Sequence, residues 1–502
     1  MMIDLTNPAG YALALLPEIV LSVWAMVVLL VDVFQKGERT GLSSILIPRL
    51  TLLGIGLAAA ANLYLAGKTG TGGGAVAVDG FRVFTNFVFL LALLLFMLSS
   101  YRYVTEEHLR TGELYVLALF ATVGMMVFAG ATDLMLAFLG LELMSVPIYV
   151  LTGLNRRDER SAEGALKYFL LGAFSSAFFL FGVALIYGGT GSTNLGRIAL
   201  AVGVDGIGAS PLLLTGIALL ATGFGFKVAA VPFHMWTPDA YEGAPAPIAG
   251  FMAAAVKAAA FAAFLRVFLT AFPGLYDTWD AIAIWLAVIT MLSANLVALV
   301  QGNVKRMLAY SSIAHAGYLL VALAAASVVG AASFLFYALA YTLMTMGAFA
   351  VVIVVGGRGE AHLDLESYAG LGWKRPLLGT AMTVFLLSLA GFPFTAGFIG
   401  KVFIVRAAIE RGLVLLAVVL VIASLISYYY YLRVAWYMWF RDPVADTGER
   451  GLTLSPGLTT ALAAAAVLIV ALGIFPGVLL SLAEGSAADL LRIPVTALGL
   501  RP

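Results

Sequence analysis

The sequence predicts an all-α polytopic membrane protein of about 14 transmembrane helices. Of its 502 residues, 62% are hydrophobic and only 11% are charged, whereas soluble domains carry about 45–50% apolar and about 25% charged residues. The mean hydropathy is +1.03, so there are too few charges to cover a water-exposed surface. The 53 glycines are typical of closely packed membrane helices, in which small residues let backbones approach.

Apolar segments long enough to cross a bilayer recur along the whole chain, since a membrane helix needs about 20 mainly apolar residues. We predict spans at 11–34, 45–66, 80–100, 113–129, 132–153, 161–189, 211–236, 245–271, 278–300, 305–325, 328–356, 376–412, 414–440 and 458–485.

The distribution of basic residues among the connecting loops predicts the orientation. If the N-terminus lies outside, fifteen lysines and arginines fall in cytoplasmic loops and seven fall in outer loops and the tail. Cytoplasmic loops carry the excess of Lys and Arg in bacterial inner-membrane proteins. We therefore expect a multi-pass protein of that membrane with both termini outside.

Two of the predicted spans are interrupted by helix-breaking residues. The seventh, 211–236, contains Gly223, Gly225 and Pro232, and the twelfth, 376–412, contains the sequence AGFPFTAGFIG. Broken helices are tolerated at membrane depth only where protein or a wet cavity satisfies the freed backbone groups. Because the breaks are five spans apart, spans 4–8 and 9–13 are predicted to be two inverted five-helix repeats, a pattern of secondary transporters.

This repeat hypothesis gives four regions. Residues 1–110 form an N-terminal three-helix region, residues 111–272 the first repeat, residues 273–440 the second, inverted repeat, and residues 441–502 a C-terminal helix and tail.

The composition also excludes several kinds of chemistry. The chain has no cysteine, so it has no disulfide, no cysteine-held iron–sulfur cluster and no thioether-linked haem. The net charge of +1 argues against nucleic acid as a partner. Any redox reaction coupled to this protein is therefore expected on other chains.

Ionisable residues inside the predicted spans are the candidate functional groups, because a charge at the bilayer centre costs about 2.5–3.5 kcal/mol on insertion scales. Glu142 lies in the middle of span 5 and Lys257 near the centre of span 8, while Lys227 and Lys401 stand at the two breaks. A buried lysine exchanges a proton readily when a neighbouring carboxylate moves. We expect Glu142 and Lys227 to form such a pair.

Three further residues are weaker candidates. His234 and His315 lie in spans 7 and 10, and histidine titrates near neutral pH. Lys167 lies six residues into span 6. The alternatives are that Lys167 only reaches the interface, that His315 only bridges helices, and that His234 is a surface residue. Lys227 and Lys401 could also serve only to cap freed carbonyls at the breaks.

Two segments resemble a known family. The sequence HMWTPDAYEGAPAPIAGFMAAAVKAAAF, from His234 to Phe261, and the sequence QGNVKRMLAYSSIAHAGYLL, from Gln301 to Leu320, are similar to signatures shared by the antiporter-like subunits of respiratory complex I and of multi-subunit sodium/proton antiporters. Within complex I, GFPFTAGFIGKVFIV (Gly391 to Val405) and the absence of a long lateral C-terminal helix resemble the N type rather than the L or M type.

The resemblance implies a proton-translocating subunit of bacterial NADH–quinone oxidoreductase, with K-type and M-type subunits as membrane neighbours. It implies that FMN, iron–sulfur clusters and quinone belong to partner subunits, and that this chain holds no cofactor or metal. Glu142 and Lys227 then resemble the family's carboxylate–lysine pair, Lys257 the central lysine, and Lys401 the residue from which the proton leaves. His234, His315 and Lys167 would be accessory relays.

Three alternatives remain open at this stage. The chain could belong to a cation/proton antiporter, or to the equivalent subunit of a ferredoxin-driven complex. It could also be a structural spacer whose charges serve assembly alone.

Overall fold

The structure is a computed structural model and describes residues 2–34, 43–71, 74–107, 109, 111–204, 210–443 and 454–491. Within these ranges the chain is almost entirely helical. The first half contains α1 (Pro8–Ala14), α2 (Leu16–Phe34), α3 (Ser43–Leu65), α4 (Gly80–Glu106), α5 (Thr111–Gly130), α6 (Leu134–Thr152), α7 (Glu159–Thr190), α8 (Leu195–Val204), α9 (Pro211–Val228) and α10 (Trp236–Gly243).

The second half begins with a long helix that changes its winding. A π-helical turn at Met252–Val256 joins α11 (Ala246–Phe251) to α12 (Lys257–Ala271). There follow α13 (Tyr276–Leu299), α14 (Val304–Ala324), α15 (Val328–Gly356), α16 (Leu371–Lys374), α17 (Pro376–Ala390), α18 (Ala396–Glu410), α19 (Val414–Phe440), α20 (Pro456–Ile474) and α21 (Gly477–Leu491).

The predicted multi-span helical fold is confirmed. Among the described residues, thirteen helices are long and apolar enough to cross a membrane. The remaining predicted span, 376–412, consists of the two shorter helices α17 and α18.

Both predicted breaks are present. The helix α9 ends at Val228, and irregular backbone follows until α10 begins at Trp236. The helix α17 ends before Gly391, whose φ of +90° terminates the helix in the left-handed region that glycine adopts most readily.

The prediction of one C-terminal span over 458–485 was wrong. The helix α20 ends at Ile474 and a separate helix, α21, starts at Gly477. Pro476 explains the end, because proline disfavours helical backbone in the residue before it and supplies no N–H. The tail after Leu491, which the sequence analysis assigned to the C-terminal region, lies outside the described residues.

The all-α prediction also missed a small β pair. The strands β1 (Met2–Asp4) and β2 (Thr69–Thr71) run parallel, with Met2 opposite Thr69. Each is too short to show a strand pattern in the sequence, and each satisfies backbone groups of the other beyond the helix ends.

The helices that carry the candidate residues lie at the centre of the bundle. In the most apolar stretch of each helix, 100% of the residues are buried inside the protein for Ala246–Ala271 and 94% for Val304–Ala324, against 28% for Leu16–Phe34. Alanine-rich sequence around Lys257 permits this close packing. Lys257 and His315 are therefore enclosed by protein and do not face lipid.

Candidate functional site

Lys227 lies in the last turn of α9, directly before the break. Its side chain is buried, and its ammonium donates to Ser145 Oγ at 2.8 Å and to Tyr149 OH at 3.0 Å, both on α6. The Nζ atom also stands 5.1 Å from the centroid of the Tyr149 ring, within the range of cation–π attraction. Hydroxyl groups, not freed carbonyls, are thus its partners.

The expected ion pair between Glu142 and Lys227 is absent from the described structure. Glu142 is half-buried on α6 and accepts a short hydrogen bond from Ser176 Oγ on α7. Ser145 and Tyr149, one and two turns further along α6, accept the hydrogen bonds of Lys227 instead. Glu142 on α6 and Lys227 on α9 thus have different partners, although Glu142, Ser145 and Tyr149 lie on one face of α6.

Lys257 follows directly after the π-helical turn. It is buried, and its ammonium donates to the Ser312 carbonyl oxygen at 2.6 Å and to Ser312 Oγ at 2.5 Å on α14. A small cavity of about 10 Å³ adjoins it, lined in part by Ala254, His315 and Tyr341. That volume suits about one water molecule.

His315 is buried on α14 between two tyrosines. Its Nδ1 is 2.7 Å from Tyr337 OH on α15 and its Nε2 is 3.0 Å from Tyr431 OH on α19. Tyr431 also forms a short hydrogen bond with Ser311 Oγ, next to the serine that binds Lys257. The imidazole therefore faces the cavity of Lys257 and contacts hydroxyls on two other helices.

Lys401 lies on α18, just after the second break. Its ammonium donates to the carbonyl oxygens of Leu389 and Ala390 at 2.9 and 2.8 Å, and to Ser424 Oγ at 2.6 Å on α19. It thus caps the last carbonyls of α17, where cations are favoured. Its Nζ is 4.9 Å from the Tyr318 ring centroid, and Tyr318 in turn packs edge-on against His315.

An aromatic layer separates Lys227 from Lys257. Tyr168 stacks on Trp236 with ring centroids 4.1 Å apart, and Trp236 contacts Tyr241 at 6.2 Å. The Tyr241 ring lies 5.9 Å from Lys257 Nζ. The contacts between Lys227 and Lys257 thus run through these rings, whereas those between Lys257 and Lys401 run through Ser312, His315 and the ring of Tyr318.

The two weaker candidates Lys167 and His234 lie apart from the row of buried residues Lys227, Lys257, His315 and Lys401. Lys167 has a side chain 43% exposed and pairs with Glu163 at 2.6 Å and Asp239 at 2.7 Å. His234 is half-buried in the break between α9 and α10, and its Nδ1 has no hydrogen-bond partner. The structure brings together Lys257, His315 and Lys401, and leaves these two at the margin.

Several polar residues of the site were missed in the sequence. The hydroxyl partners of the lysines and of His315 are Ser145, Tyr149, Ser312, Tyr337, Ser424 and Tyr431. The buried ion pairs Arg82–Glu18, Arg266–Asp79 and Lys305–Glu360 were missed as well. Lys305 and Ser312 lie inside the segment from Gln301 to Leu320 that resembles the family signature. Their place in that segment was the one signal in the sequence that could have identified them.

Comparison with known proteins gives a consistent result. Residues 131–427 match the family described as NADH:quinone oxidoreductase/Mrp antiporter, TM. NADH-quinone oxidoreductase subunit N of Trichlorobacter lovleyi is 49% identical over 471 residues, which is 94% of this chain and 96% of that protein.

Solved structures show the same fold. A chain of respiratory complex I from Thermus thermophilus with bound aureothin superposes with a TM-score of 0.78 at 39% identity, covering 93% of this chain and 100% of that one. A chain of the membrane-bound sulfane sulfur reductase, an archaeal respiratory membrane complex, gives a TM-score of 0.84 at 26% identity, covering 97% and 99%.

Proposed function

Because the chain belongs to the family of NADH:quinone oxidoreductase and Mrp antiporter membrane subunits, we propose that it translocates protons as the N-type subunit of a bacterial respiratory complex I. Electron transfer from NADH to quinone, with FMN and iron–sulfur clusters, then takes place on partner subunits. In this proposal K-type and M-type subunits are its neighbours in the inner membrane, and both its termini lie outside.

The single observation that carries the proposal is the row of buried lysines without carboxylate partners. Among the described residues, Lys227, Lys257 and Lys401 form no ion pair, and each ammonium is held by hydroxyl or carbonyl oxygens. An unpaired buried ammonium is costly. Structural capping explains Lys401 in part, but it explains neither Lys227 nor Lys257, so proton exchange is the better account of the row.

The geometry suggests an order of events. Movement of Glu142 towards Lys227 would hold a proton there, and its return to Ser176 would release it. The proton then crosses the aromatic layer only when water enters between Tyr168, Trp236 and Tyr241. From Lys257 the cavity, His315 and the hydroxyls around it lead to Lys401, from which the proton leaves. His234 and Lys167 would assist uptake. In this proposal the first inverted repeat supplies Lys227 and Lys257, and the second supplies His315 and Lys401.

The assignment is tested by purifying the tagged chain in mild detergent and identifying its partners by mass spectrometry, with an NADH–quinone activity assay. Recovery of flavin- and iron–sulfur-bearing subunits together with NADH oxidation is expected. Recovery with antiporter-type membrane subunits alone, without electron-transfer activity, would favour a cation/proton antiporter. Ferredoxin oxidation without NADH oxidation would favour a ferredoxin-driven complex.

Replacing Glu142 by glutamine, or Lys227 by methionine, is expected to lower the protons moved per electron pair in the assembled complex. The carboxylate and the ammonium can then no longer exchange partners, and general acid–base groups contribute about a hundredfold or more to proton transfer. Proton uptake into sealed vesicles during NADH oxidation measures this. Unchanged stoichiometry in a fully assembled complex would contradict the role of the pair.

Replacing Tyr431 by phenylalanine is expected to slow NADH-driven proton movement about fivefold, the effect of losing one neutral hydrogen bond. The change removes the hydroxyl that joins Ser311 to His315 and leaves the ring in place. Tyr430→Phe is the matched control, since its hydroxyl binds Asn295 instead. Equal rates in the two variants would exclude Tyr431 from the relay.

A further inference from the structure

Glu360 lies in the short segment after α15 and connects four parts of the chain. Its carboxylate accepts from Lys305 Nζ at 2.5 Å, from the backbone N–H of Ala246 at 2.6 Å and from Tyr103 OH at 2.7 Å. Its side chain is only 13% exposed. The proton path proposed above makes no use of it.

The backbone at Glu360 is unusual as well. Its φ is +50°, in the left-handed region, and the nearby Gly357 and Gly359 have φ of +65° and +66°. Residues other than glycine seldom adopt this conformation, and they keep it only where the surrounding structure fixes them. The three hydrogen bonds to the carboxylate, together with that from Gly359 N–H to Glu107 Oε1, hold this segment in place.

Helix α10 ends at Gly243 and α11 begins at Ala246, so residues 244 and 245 form a short break between them. Glu360 and Lys305 together hold both sides of this break. Lys305 Nζ donates to the carbonyl oxygens of Glu242 and Ala244, at 2.9 and 2.5 Å, at the end of α10. Glu360 accepts from Ala246 N–H, where the next helix begins. The cation thus sits at a helix C-terminus and the anion at a helix N-terminus, which is the arrangement that the helix dipoles favour.

The position of the basic residues within their own helix supports a dedicated role. Lys305 and Arg306 stand in the first turn of α14, where the helix dipole disfavours cations. Arg306 contacts Asp239 at 3.1 Å and Glu242 at 2.5 Å, both on α10. Lys305 and Arg306 therefore stand at the end of α14 that disfavours positive charge, and both bind α10 or the residue directly after it.

The helix that starts at this break carries Lys257. Eleven residues separate Ala246 from Lys257, about 16 Å along a helix axis. The π-helical turn Met252–Val256 lies between them, and such turns are frequent where helices rearrange at functional sites. Ala246 and the cavity beside Lys257 are therefore joined by one continuous helix that contains this turn.

We propose that Glu360 is a positioning residue for proton uptake at Lys257: its carboxylate, paired with Lys305, keeps the break between α10 and α11 closed and keeps water away from the cavity lined by Lys257 and Ala254. Release of the pair lets the start of the Lys257 helix move and admits water. The inference rests on the proposed function, because it assigns a control point to the same path.

The absence of cysteine from the chain makes a direct test possible. Ala254→Cys places a single thiol of this chain in the cavity wall. The assembled complex is treated with a small, water-soluble methanethiosulfonate, and the modified peptide is quantified by mass spectrometry over time. Slow labelling is expected while Glu360 is present.

Adding Glu360→Gln is expected to speed labelling about tenfold, since a hydrogen bond to a charged group becomes a neutral one. Glu366→Gln, an exposed carboxylate of the same loop, is the matched control and should leave the rate unchanged. Labelling of the Glu360 variant at the parental rate would overturn the proposal.

If Glu360→Gln prevents assembly, Tyr103→Phe provides the test, because it removes only one donor to the carboxylate; labelling about threefold faster is expected and an unchanged rate overturns the proposal. The labelling needs no turnover, so it separates the two hypotheses. Fast labelling in Glu360→Gln together with normal pumping in Lys257→Met would show that the carboxylate closes the cavity but would refute proton uptake at Lys257, and with it the proposed path. Unchanged labelling together with lost pumping in Lys257→Met would refute the role of Glu360 alone.

Discussion

Replacing Lys257 by methionine is expected to abolish proton movement through this chain, by about a hundredfold or more, while the complex still assembles. Lys257 lines the water-sized cavity, and among the described residues it is the only lysine, arginine, aspartate or glutamate in the cavity wall. Methionine fills a similar volume but cannot take up or release a proton. The relay that we propose from Lys227 towards Lys401 is then interrupted at its centre.

Assembly should survive this change for a physical reason. Lys257 has no carboxylate partner among the described residues, so its removal leaves no opposite charge unpaired and removes the cost of burying an ammonium. The loss is confined to the hydrogen bonds to Ser312, about 1–3 kcal/mol.

The measurement is the number of protons taken up per NADH oxidised in proteoliposomes containing the purified complex. Lys68→Met, outside the spanning helices, is the control and should match the parent. A Lys257→Met complex that pumps the full number of protons would remove this lysine from the mechanism.

Replacing Arg82 by methionine is expected to destabilise the protein by about 3–5 kcal/mol, because it leaves Glu18 charged, buried and unpaired. The two side chains are 2% and 4% exposed, and Arg82 Nη2 is 2.7 Å from Glu18 Oε1. Arg82 Nη1 also donates to the Ala77 carbonyl oxygen at 2.7 Å. The pair ties the start of α4 to α2.

A double-mutant cycle isolates the pair. Combining Arg82→Met with Glu18→Gln should restore most of the lost stability, since neither charge then remains buried alone. The fraction of complex that stays assembled after heating reports the effect. Arg406→Met breaks a pair with Glu410, whose side chains are 51% and 46% exposed, and should leave the assembled fraction close to that of the parent, because water screens exposed pairs. A double variant no more stable than Arg82→Met alone would refute the interpretation.

The family and the spans were predictable from the sequence because both depend on local chemistry. Bilayer thickness sets the length of each apolar run, and Val328–Gly356 and Val414–Phe440 match their predicted spans residue for residue. Proline and glycine fix where backbone leaves the helix, which is why the breaks after Val228 and Ala390 were predictable. The cost of burying charge singled out Lys257 and Lys401 in the same way.

What the sequence could not supply is the choice of partner for each buried charge. Glu142 and Lys227 were expected to pair, yet Lys227 binds Ser145 and Tyr149, about 80 positions away in the chain. The contact between Tyr431 and His315 spans 116 residues, and that between Glu360 and Tyr103 spans 257.

Local chemistry therefore determined the helices, their breaks and the buried lysines, whereas the tertiary structure alone decided which groups meet. The physical reason is that each residue along a helix turns its side chain by about 100°, so the packing of one helix against another selects the partner. Hydropathy, proline and glycine act within a segment and carry no information about that packing.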